Sequence, residues 1–177
     1  MCATPGSLGL SDVSIQLENT EYICKKNLGE GATSYVYLVH YEGKDCAVKV
    51  CKPGYMISKD QENLQRLKGI KRIPQFVTSN REINSLIVTP ICERLTREAL
   101  ASKNMKVSLA SLVDVLHAAH QRGIVNRDIW LANMMIHEEN GKGMVYIVDW
   151  GYATNLGFHW SSMQALSFMP LTKCSRS

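Results

Sequence analysis

The chain contains no uninterrupted apolar run of roughly eighteen residues, the length a membrane-spanning helix needs, so no membrane partner is expected. Its six cysteines form no CxxC pair and have no histidine cluster beside them, which argues against a zinc site. The N-terminal stretch MCATPGSLGLSDVS lacks the basic start and long apolar segment of a secretory signal. Reduced thiols in a cytoplasmic or nuclear setting are therefore expected. The Pro, Gly and Ser of residues 1–21 read as a loose leader. Internal repeats and low-complexity segments are absent too.

What is present suits a globular protein. The hydrophobic share is 45% and the charged share 20%, enough apolar material for a core. A length of 177 residues fits one domain, or two small lobes sharing a cleft. The net charge of +4 is uneven, with an acidic excess over residues 1–48 and a basic excess over 49–106. The run LQRLKGIKR could meet an acidic partner or a phosphate, although a solvated face is the plainer account. No aromatics interleave with these cations, so nucleic-acid binding is not expected.

The first half reads as strands. EYICKKNL, SYVYLVHY and DCAVKVCK are rich in Val, Ile, Tyr and Cys, with GEGATS and EGKD as the turns between them. A short helix over about 58–68 follows, then QFVTS and SLIVTP as strands around a polar NRE turn. The second half changes period. SLASLVDVLHAAHQRG sets Leu109, Leu112, Val113, Leu116 and Ala119 at helical spacing, and Gly123 closes the helix. MMIHEE and MVYIVDW around NGKG read as a hairpin.

Four short motifs carry chemistry. LGEGATSYV places Gly29 and Gly31 where a backbone free of Cβ can approach phosphates, or where a plain hairpin turns. CAVK ends on Lys49, which strand alternation points away from Val48 and Val50, into a cleft or into solvent. VNRDIWLANMMI holds Asp128 and Asn133, and IVDWG holds Asp149.

In this order the four motifs resemble the protein kinase family: Gly-rich loop, strand Lys, catalytic loop with Asp and Asn, and Asp-x-Gly. The resemblance covers roughly residues 22–155. It implies an α+β, two-lobed kinase-like fold, with an antiparallel β N-lobe carrying one helix and an abbreviated helical C-lobe. The bounds it suggests are an N-lobe over 22–89, a hinge over 90–93 and a partial C-lobe over 94–155. Residues 156–177 stand outside it as a tail.

The resemblance also implies roles. ATP and Mg²⁺ are the expected ligands, and a protein Ser or Thr hydroxyl the expected acceptor. Leu28, Gly29, Gly31, Val36 and Ala47 would cover the nucleotide. Lys49 would hold its α- and β-phosphates. Thr89 would stand at the back of the pocket, Pro90 and Cys92 at the hinge, and Met135 on the floor. Asp128 would accept the hydroxyl proton, and Asn133 and Asp149 would hold Mg²⁺. For the helix carboxylate facing Lys49, Glu62 is the obvious candidate, whereas Asp60 shares a face with Leu64 and Leu67.

Departures from the family pattern bear on rate. Asn126 stands where His is usual, and Trp150 where Phe is usual. Between Asp128 and Asn133 there is no Lys or Arg, and Trp130 occupies the stretch where many members carry one. Slow protein phosphorylation is therefore the leading expectation. A non-catalytic nucleotide-binding or scaffold module is the first alternative, and a small-molecule kinase of related fold the second.

Overall fold

The computed structural model describes residues 14–17, 20–96, 98–99 and 103–155. Six strands form one antiparallel sheet: β1 (Ser14–Leu17), β2 (Thr20–Glu30), β3 (Ser34–Tyr41), β4 (Lys44–Cys51), β5 (Gln75–Asn80) and β6 (Ser85–Thr89). Their order across the sheet is β1-β2-β3-β4-β6-β5. Helix α1 (Ser58–Arg66) lies between β4 and β5 in the chain. After the short strand β7 (Glu93–Arg94) come helices α2 (Lys103–Ala110) and α3 (Leu112–Gln121). Strand β8 (Ile124–Val125), a 3₁₀ turn (Leu131–Asn133), the β9 (Met134–Glu139) and β10 (Lys142–Ile147) hairpin, and β11 (Thr154–Asn155) complete the described chain. This is the α+β architecture that the motif order implies.

Turn chemistry sets the registers that matter. Glu42 (φ 47°) and Gly43 (φ 78°) make the two-residue β3–β4 turn, a geometry that follows the natural strand twist. Tyr41 then pairs with Lys44, which places Lys49 opposite Val36. Asn140 and Gly141 do the same for β9 and β10, pairing Glu139 with Lys142. One face of the large sheet buries Ile15, Cys24, Tyr37, Val39, Cys46, Val48 and Ile87. A second core joins Leu64 of α1 and Leu67, just past its end, to Leu112 and Val115 of α3, Ile147 and Trp150. That shared core fixes α1 against the segment that carries Asp149.

Three details differ from the sequence reading. Strand β1 lies inside the stretch read as a loose leader, because Ile15 packs into the sheet core at 4% exposure and the strand pairs with Thr20–Ile23. The helix read as a single segment up to Gly123 begins at Lys103 and is divided at Ser111, whose hydroxyl donates to the Ser108 carbonyl at 2.6 Å. Its buried face also shifts. Leu112, Val115 and Ala119 face the core, while Val113 is 68% exposed. At about 100° per residue, Val113 stands well away from Leu112 and Ala119, and Val115 stands beside them. Gly123 does end α3, at φ 71°. The tail read over 156–177 lies outside the described residues. Among those described, no helix is long and apolar enough to cross a membrane.

Candidate active site

Lys49 sits mid-strand on β4, between Val36 of β3 and Leu86 of β6. Its ammonium donates to Asp60 Oδ2 at 2.8 Å and to Asp149 Oδ1 at 2.9 Å. The alternative between Asp60 and Glu62 is thereby decided: Glu62 faces outward and lies 3.9 Å from Lys59. Burial opposes the Lys49 charge, but Asp60 and then Asp149 outweigh it and raise the pKa above its ordinary 10.5. The stability this shift confers is fully present below that ordinary value and is lost only as pH rises through the higher folded one. Lys49 therefore stays charged at neutral pH.

Helix α1 grips the Asp-Trp-Gly segment directly. Asp60 Oδ1 accepts the Trp150 backbone N–H at 3.1 Å. Asn63 Nδ2 donates to the carbonyls of Trp150 at 2.8 Å and Ala153 at 3.2 Å. The Trp150 ring is fully buried and its Nε1 donates to the Ile147 carbonyl at 3.0 Å. Asp149 itself takes φ 57°, a left-handed conformation that Asp tolerates better than most residues. Lys49, Asp60, Asp149, Gly151, Thr33 and Cys51 line a cleft of about 130 Å³.

The second group is built on the loop after β8. Asn126 is 2% exposed and its Oδ1 accepts the Asp128 N–H at 2.8 Å. Its Nδ2 has no partner among the described residues. Asn133 Nδ2 donates to Asp128 Oδ2 at 2.7 Å and to the Asp128 carbonyl at 3.1 Å. The Asn133 carbonyl in turn accepts the Val148 N–H at 2.9 Å, which fastens the loop to the residue before Asp149. Arg127, Asp128 and Tyr152 border a separate hollow of about 240 Å³. Tyr152 borders both hollows.

The remaining predicted residues lie on the interior strands of the large sheet and in the segments that follow it. Val36 pairs with Gly29, Ala47 with Val88, and Thr89 ends β6. Leu28 belongs to the same strand as Gly29, and Gly31 follows it at the turn, where its N–H donates to the Ser34 carbonyl at 2.9 Å. Met135 of β9 pairs with Arg94 of β7. In the segment expected to be the hinge, the Cys92 thiol approaches the Pro90 carbonyl at 3.7 Å. His137 donates from Nδ1 to the Ile91 carbonyl at 2.8 Å. Burial, and then the Glu139 charge, push the Cys92 thiol up to about 12, so at neutral pH it is a protonated wall and no nucleophile.

A sequence model described as "Protein kinase domain" matches residues 22–168. The chain belongs to the protein kinase domain family. The match runs past Asn155, where the motifs read from the sequence end. The serine/threonine-protein kinase pakG of Dictyostelium discoideum is 26% identical to this kinase domain over 141 residues, 73% of this chain and 12% of pakG. A probable cyclin-dependent serine/threonine-protein kinase of the same organism is 29% identical over 152 residues, 78% of this chain and 23% of the relative. The chain thus spans less than a quarter of the length of either relative.

Two residues at the site escaped the sequence reading: Asn63, which grips the Trp150 segment, and Tyr152, which borders both hollows. Asn63 stands three residues after Asp60, on the same helical face, and that spacing was the available signal. Tyr152 had no signal beyond its place after the Asp-Trp-Gly. The Lys49–Asp60 geometry carries a prediction. Asp60→Ala leaves Lys49 short of a partner and the Trp150 N–H without an acceptor, and is expected to cost about 3 kcal/mol in urea denaturation. Glu62→Ala is expected to stay within about 0.5 kcal/mol. ATP affinity should fall in the same order, and the reverse order would show that Asp60 does not hold Lys49.

Proposed function

We propose that this kinase domain binds ATP with Mg²⁺ and transfers the γ-phosphoryl group, slowly, to Ser or Thr hydroxyls of a protein. The observation that carries the reading is Lys49 held in the cleft between Asp60 and Asp149. A charged lysine fixed by two carboxylates is positioned for phosphate oxygens rather than free in solvent. Leu28, Val36 and Ala47 would cover the adenine, Met135 would lie beneath it, and the Pro90 carbonyl and Cys92 N–H would meet its edge beside Thr89. Asp128 would take the proton of the attacking hydroxyl. The names of the two relatives support Ser and Thr as acceptors.

The donor set suits Mg²⁺. Asn133 commits its amide nitrogen to Asp128, which leaves its side-chain oxygen as the free end. Asp149 adds carboxylate oxygen at the edge of the cleft. Oxygen donors of this kind fit a hard divalent cation, whose part when bound is to neutralise phosphate charge. Slowness follows from the stretch between Asp128 and Asn133, which has no cation and exposes Trp130 at 58%. The same observation favours a second reading, a nucleotide-binding module without transfer.

Radiolabelled ATP with a generic basic protein, and with the chain itself, tests the choice. Turnover below about one per second is expected, beside a rise in melting temperature at millimolar ATP and Mg²⁺. A melting rise without any transfer would leave the binding module. No rise for folded protein would remove both readings.

A further inference from the structure

Asp128 is tied to the Asp149 segment from both sides. Downstream, Asn133 holds Asp128 Oδ2 with its amide, and its own carbonyl takes the N–H of Val148, the residue before Asp149. Upstream, β8 pairs Val125 with Thr154 and Ile124 with Asn155, beyond Gly151. Asn126 is the first residue to leave β8, and its Oδ1 accepts the Asp128 N–H at 2.8 Å. The loop carrying Asp128 therefore hangs between two anchors that straddle Asp149.

The upstream anchor depends on one side chain. An Asn oxygen that meets the N–H two residues on closes a local turn. Inside this turn is Arg127, at φ 66°, a left-handed conformation that Arg adopts only at a cost. Arg127 is exposed and forms no ion pair among the described residues, so its own side chain does not hold it there. Asn126 is buried, and its Nδ2 has no partner among the described residues. An apolar side chain of the same size would fill the place without burying that donor. The bond to the Asp128 N–H is the polar contact that accounts for an amide there.

We propose that Asn126 is a positioning residue for phosphoryl transfer. By closing the turn over Arg127 it fixes Asp128, the proton acceptor, relative to Asp149 and Lys49, which hold the phosphates. The assignment rests on the transfer reading above. Asn126 acts through Asp128, so its loss lowers kcat and leaves ATP affinity alone. A misplacement of about 1 Å can cost on the order of 10²-fold in rate.

Three variants of the full chain separate positioning from packing: Asn126→Leu, Asn126→Ala and Asn126→Ser. Each is assayed with radiolabelled ATP and a generic basic protein, beside ATP titration and a melting curve. Leu keeps the volume and drops the unpaired donor, but offers Asp128 no acceptor. It should melt near wild type and turn over about 10²-fold more slowly. Ala and Ser leave similar space and should both melt several degrees lower. Only Ser keeps an oxygen that can accept the Asp128 N–H, so it should run about tenfold faster than Ala. ATP affinity should stay within about twofold throughout. Should Leu fail to fold, the Ser and Ala pair decides. Rates that follow melting temperature, equal rates in Ser and Ala, or a loss of ATP affinity matching the loss of rate would each make Asn126 a packing residue and overturn the assignment. A transferring wild type with an unaffected Leu variant would remove the assignment alone. A folded wild type that binds ATP without any transfer would remove the transfer reading, and the assignment with it.

Discussion

Asp128→Asn is expected to lower phosphoryl transfer about 10³-fold while Mg²⁺–ATP affinity stays within about twofold. The geometry separates chemistry from fold at this residue. Asp128 Oδ2 accepts from Asn133 Nδ2, and the Asp128 N–H donates to Asn126. An amide at position 128 can keep an oxygen toward Asn133, and the backbone contact to Asn126 is untouched. What it loses is the capacity to take a proton. Stability should therefore change by no more than about 1 kcal/mol in urea. The check is the radiolabelled assay beside a denaturation curve on the same preparation. Turnover that survives the substitution would show that Asp128 is not the base, or that the transfer belongs to a contaminant.

Trp150→Ala should be the most damaging core substitution, at about 4 kcal/mol. Trp150 is fully buried among α1, α3 and β10 residues. Its backbone is held at both ends, by Asp60 on the N–H and by Asn63 on the carbonyl. Truncation opens a cavity where α1 meets the segment carrying Asp149, so both Asp60 and Asp149 lose their support around Lys49. Trp150→Phe isolates one part of the loss. It keeps most of the apolar filling but leaves the Ile147 carbonyl without the Nε1 donor, and is expected to cost about 1–2 kcal/mol. Urea denaturation of the three proteins gives the comparison. A loss under about 1 kcal/mol for the alanine variant would mean that Trp150 does not organise this junction.

Much of the site could be read because its signals are local. The Glu42–Gly43 turn sets the β3–β4 register, so the direction of Lys49 follows from alternation alone. Asp60 could be weighed against Glu62 because helical spacing ties it to Leu64 and Leu67, and the bridge to Lys49 agrees. The harder features depend on neighbours far away in the chain. Whether Val113 or Val115 enters the core depends on where Leu112 meets the rest of the cluster, and an apolar residue at either position satisfies a loose helical pattern. Strand β1 is short, and its pairing with β2 gives Ile15 a core to enter.

The sequence by itself determined the strand and turn order of the first half, the glycine-bounded end of α3, and the four motifs that mark a kinase domain. Each depends on spacings of a few residues, where backbone geometry leaves little choice. Only the tertiary structure decided that Asp60 and Asn63 grip the Trp150 segment across some ninety positions. Contacts of that reach are set by packing of whole elements around a shared core. A local pattern constrains which face an element buries, and it says nothing about which distant side chain will meet it there.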